Sequence, residues 1–413
     1  MKILISQATL VDNRHPDNGK KKDILILNGK IDQIEDHLET EADERIVADR
    51  LCVSIGWLDL RANFRDPGEE YKEGIQNGIE VAKKSGFTAV ALSPDTTPAT
   101  DNKGGIQYLK KQGEGSGVDL IPLGALSVGL EGRAMSEMFD MFQSGARGFS
   151  DDKRSISESG LLHRALLYTA NFGAPVLHFP YDSNLIPNGQ INEGLVSTKL
   201  GLKGIPSISE EMVVRRDLTL AEYTNGRLHL GPLSSSGSVD LISDAKKKGL
   251  NITCEVSAAN LAFNEKKVSD FDTNYKLIPP LRSEENRMKI IDQLMNGEID
   301  VLSSDHSPED VEHKKLEFDL AEFGIAGMEY FFPLVYGAVG DKMPLSDLVA
   351  TFTINPRNLL NLEIPLINPG QKANLTLFST EEYTSIDSFQ TKGYNVPRDL
   401  KDLRGRVIRT ILG

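Results

Sequence analysis

Hydrophobic and polar positions follow two different periods along this chain. Over the first fifty residues they alternate in short β-type runs. KILISQATLV is β-rich, DNRHPDNGKKK is turn chemistry, and DILILNGKIDQI reads as a hairpin through Asn28-Gly29. The last fifty residues have the same character. NPGQKANLTLFS and LRGRVIRTILG are short strands bounded by Gly and Pro. Residues 1–52 and 365–413 are therefore expected to meet in one composite β domain.

Between them, short apolar runs alternate with helical periods. Val53–Leu60 precedes YKEGIQNGIEVAKKSG, and FTAVALSP precedes IQYLKKQG. VDLIPLGALSV precedes MSEMFDMFQSG, and ARGFS precedes LLHRALLYTANFG. PVLHF, RLHLGPLSS, NITCEVSA and IDVLSSDHSP complete about eight β/α steps. Repetition of that unit over residues 53–364 predicts an α/β fold, a TIM-type (β/α)8 barrel. A doubly wound open sheet is the alternative that alternation alone leaves standing.

The length of 413 residues suits a barrel with a smaller satellite. A net charge of −14 argues against nucleic acid as a partner, and no basic patch is visible. No apolar run reaches the roughly 18 residues that cross a membrane, and the first residues lack a signal-peptide layout. Cys52 and Cys254 both sit in apolar stretches without a CxxC partner. They read as buried free thiols of a reducing compartment, so a cytoplasmic location is expected.

In a barrel, functional side chains gather at the C-terminal ends of the strands. Five such junctions are unusually polar: residues 59–65, 93–95, 150–152, 178–179 and 303–306. Any one of them is adequately explained as an ordinary strand-to-loop junction. His178, His163 and His229 read as packed core residues, and His15, His37 and His313 as surface residues.

Several long segments, in order along nearly the whole chain, resemble dihydroorotases, within the cyclic amidohydrolases that also include hydantoinases and allantoinases. They are GWLDLRANFRDPGEEYKEGIQNGIEVAKKSGFTAVALSPDTTP, FDTNYKLIPPLRSEENR, IDVLSSDHSPED, FGIAGMEYFFPL and NPRNLLNL. The resemblance implies one or two zinc ions held by histidines and aspartates. Its first-strand histidines fall on Arg61 and Asn63, and its later histidines on Phe179 and Pro232. The bridging aspartate is kept as Asp152 and the catalytic aspartate as Asp305. Arginine has no lone pair to give a metal, and Phe and Pro side chains carry no donor. Of the substrate contacts the resemblance implies, Arg65 is kept as the carboxylate grip. The others read Asp95, Ile278 and Glu309.

The resemblance thus implies a dihydroorotase homologue of pyrimidine synthesis without zinc and without hydrolysis, a homodimer by family likeness. Asp305 would be a relict of the catalytic site, and Arg61 is expected to bridge Asp152 and Asp305 in place of metal. Metal-free members of the family assemble with aspartate carbamoyltransferase, which is the implied partner. The alternative is a working zinc amidohydrolase with an unusual site, opening dihydroorotate to N-carbamoyl-aspartate or acting on a hydantoin-like ring. A third reading keeps Arg65 as the anchor for a small carboxylate ligand.

Overall fold

The computed structural model describes residues 1–385 and 388–413. Eight parallel steps form a TIM-type barrel. Trp57–Ala62, Phe87–Leu92 and Asp119–Pro122 pair in one sheet. Gly124–Ala125, Phe149–Ser150, Val176–His178, Leu228–Leu233, Ile252–Ser257 and Val301–Ser303 pair in another. Leu123 carries the third step from one sheet to the other: its N–H donates to the Leu92 carbonyl, and the next N–H donates to Gly148. A parallel bridge between Ala62 and His306 joins the first strand to the end of the eighth. Helices after the strands cover the outside, among them Ile75–Lys84, Lys103–Gly113, Ser159–Ala170, Ile208–Thr224 and Ser236–Lys247.

Both ends of the chain build one seven-stranded sheet. It contains Lys2–Leu10, Lys21–Leu27, Lys30–Glu35, Glu44–Ile46, Leu51–Ile55, Asn374–Thr384 and Leu403–Leu412. The hairpin at Asn28-Gly29 pairs Leu27 with Lys30, with φ of 49° and 77° at the two loop residues. Asn and Gly are the residues that adopt this left-handed pair at least cost.

One boundary differs from the expectation. The run Val53–Leu60 is not a single barrel strand. Leu51–Ile55 belongs to the terminal sheet, paired with Asn374–Thr384, and the barrel begins at Trp57. Gly56 makes the transfer. A Cβ there would fall 2.1 Å from the Asn374 side chain and 2.2 Å from that of Thr88, so only glycine passes. An unbroken apolar run conceals this change of sheet.

Trp57 then locks the two parts together. Its ring packs within 5.1–6.4 Å of Phe87, Phe331, Phe332, Phe352 and Phe378, and Phe378 belongs to the terminal sheet. Among the described residues, no helix is long and apolar enough to cross a membrane.

Candidate functional site

The C-terminal ends of the barrel strands bring together side chains from distant parts of the chain. Arg61, on the first strand, points into the barrel and is buried. Its Nε and Nη2 both lie 2.6 Å from Oε1 of Glu255, on the seventh strand. Its Nη1 lies 3.1 Å from Oδ1 of Asp152, and Nη2 donates to the Gly231 carbonyl at 3.0 Å. The guanidinium fork is thereby spread over three acceptors.

The expected Arg61 bridge between Asp152 and Asp305 is therefore half present. Asp152 is held, but Asp305 takes its hydrogen bond from Lys153 Nζ at 2.7 Å. Arg61 is drawn away from it because Glu255 captures two of its nitrogens. Burial pushes the Asp305 carboxyl above the usual carboxylate range, outweighing the pull of Lys153 and Arg61. Burial acts on Glu255 in the same sense, yet the Arg61 guanidinium, helped by the His229 imidazole facing it, brings it down to about 2. Asp59, beneath them on the first strand, is pushed up to about 6 by burial although Ser304 donates to it twice.

Asn63 is occupied with backbone. Its amide donates to the Asp95 carbonyl and its oxygen accepts from the Arg65 N–H, both at 2.8 Å. Phe179 is buried beside Tyr181, with ring centroids 5.8 Å apart. Pro232 lies within the sixth strand and offers no side-chain donor.

Arg65 is not a free carboxylate grip. Its Nη2 lies 2.5 Å from Glu309 Oε1, and Nη1 lies 3.6 Å from Glu69 and 3.8 Å from Asp95. Lys72 completes the arrangement, 2.8 Å from Glu309 and 2.7 Å from Glu69. Asp95 meets Arg154 at 3.0 Å. Burial raises the Asp95 carboxyl, and the nearby charge of Asp152 raises it further. These residues, with Lys153 and Ile278, line a cleft of about 370 Å³ at the barrel mouth. Its cations face its own anions.

The histidines near the mouth serve the framework. His178 bonds Asp217 through Nδ1 at 2.6 Å, and its Nε2 accepts the Ile156 N–H at 2.9 Å. His306 Nε2 lies 3.1 Å from Glu73. Sequence reasoning missed Glu255, His229, Lys72 and Lys153 as parts of the site. A lone acid inside the apolar strand ITCEVS was the available signal for Glu255. Lys153 and Lys72 sit in polar stretches that resemble any solvated loop.

The zinc that the resemblance implies does not fit this donor set. The first-strand histidine position holds a guanidinium already paired with two carboxylates. The positions of the two later histidines carry no donor atom, and Asp305 is neutralised by Lys153. Among the described residues, no three His, Cys, Asp or Glu side chains are grouped to hold a metal ion.

Comparison with known proteins fixes the ancestry. Residues 50–238 match the model of the Dihydro-orotase-like family, and residues 216–401 match that of the Amidohydrolase family. A dihydroorotase of Pelotomaculum thermopropionicum is 38% identical over 420 residues, spanning 100% of this chain and 97% of that protein. A dihydroorotase of Syntrophotalea carbinolica is 36% identical, spanning 100% and 98%. Among solved structures, the L-hydantoinase of Arthrobacter aurescens superposes with a TM-score of 0.84 at 22% identity, over 99% of this chain and 94% of that one. A D-hydantoinase from Thermus sp. superposes at 0.81 and 20%, over 99% and 93%. The hydantoinases share the fold, and the identity to the dihydroorotases extends over the full length: the chain belongs to the dihydroorotase family of amidohydrolases.

Proposed function

We propose that this protein serves pyrimidine biosynthesis as a dihydroorotase homologue that holds no zinc and does not hydrolyse the ring, acting as a scaffold or regulatory partner of another enzyme. One observation carries the reading: Arg61, paired with Glu255 and Asp152, stands where a metal ligand is needed. Zinc supplies this family's reaction with a nucleophile by lowering the pKa of bound water to about 7, and it polarises the carbonyl. A general base alone contributes about 10²–10⁴-fold, too little to open an unactivated cyclic amide at a useful rate. The arrangement of Arg65 supports the same reading. Its charge is met by Glu309, which leaves the substrate's carboxylate no free Arg65 guanidinium to bind.

A second reading is a working metal-dependent amidohydrolase, converting dihydroorotate to N-carbamoyl-aspartate or opening a hydantoin-like ring. The name shared by the full-length relatives favours it. In that case Asp305 is the residue placed to move a proton, with Lys153 beside it.

The partner of the first reading is aspartate carbamoyltransferase, proposed by analogy with metal-free family members, and the chain is a homo-oligomer on the same analogy. The deciding experiment is elemental analysis of protein purified without added metal, with dihydroorotate turnover measured on the same sample. Near-zero zinc without turnover is the expected result. Stoichiometric zinc with turnover would overturn the first reading in favour of the second. Co-purification with the transcarbamoylase tests the partner separately.

A further inference from the structure

We infer that the N-terminal end of the barrel carries a second binding site, for a phosphate group, in the cleft lined by Arg357, Arg147 and Lys110. The site lies at the opposite end from the mouth that Arg65 and Asp152 border, and the inference stands whether or not a ring is hydrolysed there.

The short helix Ile354–Leu359 closes this end of the barrel. Leu359 and Leu360 share one apolar cluster with Leu58, Ala89 and Ile121 of the first three strands, and the Leu58 N–H donates to the Phe352 carbonyl just before the helix. Beside that plug lies a cleft of about 340 Å³, walled by the strand starts and by Asn374 of the terminal sheet. Three cations line it from three separate elements. Arg357 is on the plug helix, Lys110 in the last turn of Lys103–Gly113, and Arg147 just before Phe149–Ser150. Among the described residues, none of the three has a carboxylate within 4.0 Å.

Arg357 carries the argument. It is buried, as Arg61 and Arg282 are. Arg61 has Glu255 and Asp152, and Arg282 has Glu210 at 3.9 Å. Arg357, only 3% exposed, has the Thr353 carbonyl of its own helix at 2.8 Å and no acid. Burial lowers its guanidinium to about 10, with Asp119 opposing the shift, so it stays charged at neutral pH. A buried charge without a counter-charge is costly, and a buried fork with spare donors calls for an acceptor. Asp119 and Glu363 also line the cleft, but both are exposed, and three cations against two acids leave it net positive. Guanidinium and ammonium groups together suit an oxyanion. Asn374 narrows the choice: its Oδ1 is buried and has no hydrogen-bond partner. That acceptor needs a hydroxyl, which a phosphate monoanion or a phosphorylated polyol supplies beside its charged oxygens and a plain carboxylate does not. The volume admits a phosphate with a small organic group attached.

The test is calorimetric titration of the full chain with inorganic phosphate and with glycerol phosphate, at an ionic strength held constant with sodium chloride. Saturable binding of at least one of them to the wild type is the expected result. Lys110 and Arg147 are exposed and their side chains carry no hydrogen bond or ion pair among the described residues, so their removal should leave the fold intact. Lys110→Ala and Arg147→Ala should each weaken binding about tenfold, the loss expected for one charge-assisted hydrogen bond. Arg357→Met should abolish binding, and if that variant does not fold, the two surface variants decide. Tighter binding of the glycerol ester assigns the site to a phosphorylated metabolite, and equal or weaker binding of the ester assigns it to free phosphate. A wild type that binds neither overturns the inference. So do Lys110→Ala and Arg147→Ala proteins, or a folded Arg357→Met, that bind as the wild type does. Arg65→Ala should bind as the wild type does, and loss of binding there would place the anion at the opposite mouth and overturn the inference as well.

Discussion

Oε1 of Glu309 lies 2.5 Å from Nη2 of Arg65, and its other oxygen lies 2.8 Å from Lys72. One acid thus bridges two cations at the mouth of the barrel, and Glu69 supplies the second negative charge to both. A substrate carboxylate would have to displace Glu309, a ligand already in place and tethered to the chain. Glu309→Ala should free Nη2 of Arg65, while Lys72 stays on Glu69. Thermal midpoints with millimolar orotate or N-carbamoyl-aspartate should rise for this variant and stay level for the wild type. The expected gain in affinity is about tenfold or more, worth about 1.4 kcal/mol. A variant that stays indifferent to both ligands would show that the pocket, and not the bound acid, excludes carboxylates.

Arg61 and Glu255 should behave as a unit in stability. Removing one member of a buried ion pair costs about 3–5 kcal/mol, because the other is left as an uncompensated charge. Arg61→Met and Glu255→Met should each lose about that much by urea unfolding at neutral pH. The double variant should lose clearly less than the sum of the two. Full recovery is not expected, since Asp152 also leans on Arg61. Strict additivity would mean that the pair is not coupled.

Much of the barrel was legible in the sequence, because each β/α step carries its own period and each strand end its own polar cluster. The hairpin at Asn28-Gly29 was legible for the same local reason. Gly56 was not, because the chain changes sheets inside one apolar run and the close approach of Asn374 and Thr88 exists only after folding. The charge pairing of the site was hidden more deeply. Arg61 and Glu255 are 194 positions apart, Lys153 and Asp305 152 apart, and Arg65 and Glu309 244 apart. Those pairs form where the closed barrel brings strand ends face to face. The sequence shows which residues stand at the positions the resemblance implies, but not which partner each charge takes.

The two thiols should be inert in the native protein. Burial pushes Cys52 and Cys254 each up to about 12, and the thiolate is the reactive form. A thiol reagent at pH 8 should modify neither cysteine over minutes in the folded state and both in urea. Rapid native modification of either would show that its strand opens locally.

Lys314 should give stability an alkaline slope. Its ammonium is buried and donates to the carbonyls of Glu322 and Gly324, while burial, with Lys276 nearby, lowers its pKa from 10.5 to about 7. Between those values the unfolded chain binds a proton that the folded protein does not. Stability therefore falls as pH drops from 10.5 towards 7, and the loss levels off below 7. From pH 9 to pH 7 this group should cost about 2 kcal/mol, at 1.36 kcal/mol per unit of pKa difference. Lys314→Met removes the titration but leaves two carbonyls without a donor, at about 1–3 kcal/mol each. The stability of the variant at neutral pH is therefore an ambiguous readout, and the slope is the diagnostic one. Lys276, lowered to about 8 chiefly by burial, keeps part of the slope in the variant. Urea unfolding at pH 7, 8 and 9 should show the wild type gaining about 2 kcal/mol more than Lys314→Met across that range. Parallel profiles would mean that Lys314 stays protonated in the folded protein, with its charge carried by the carbonyl cage.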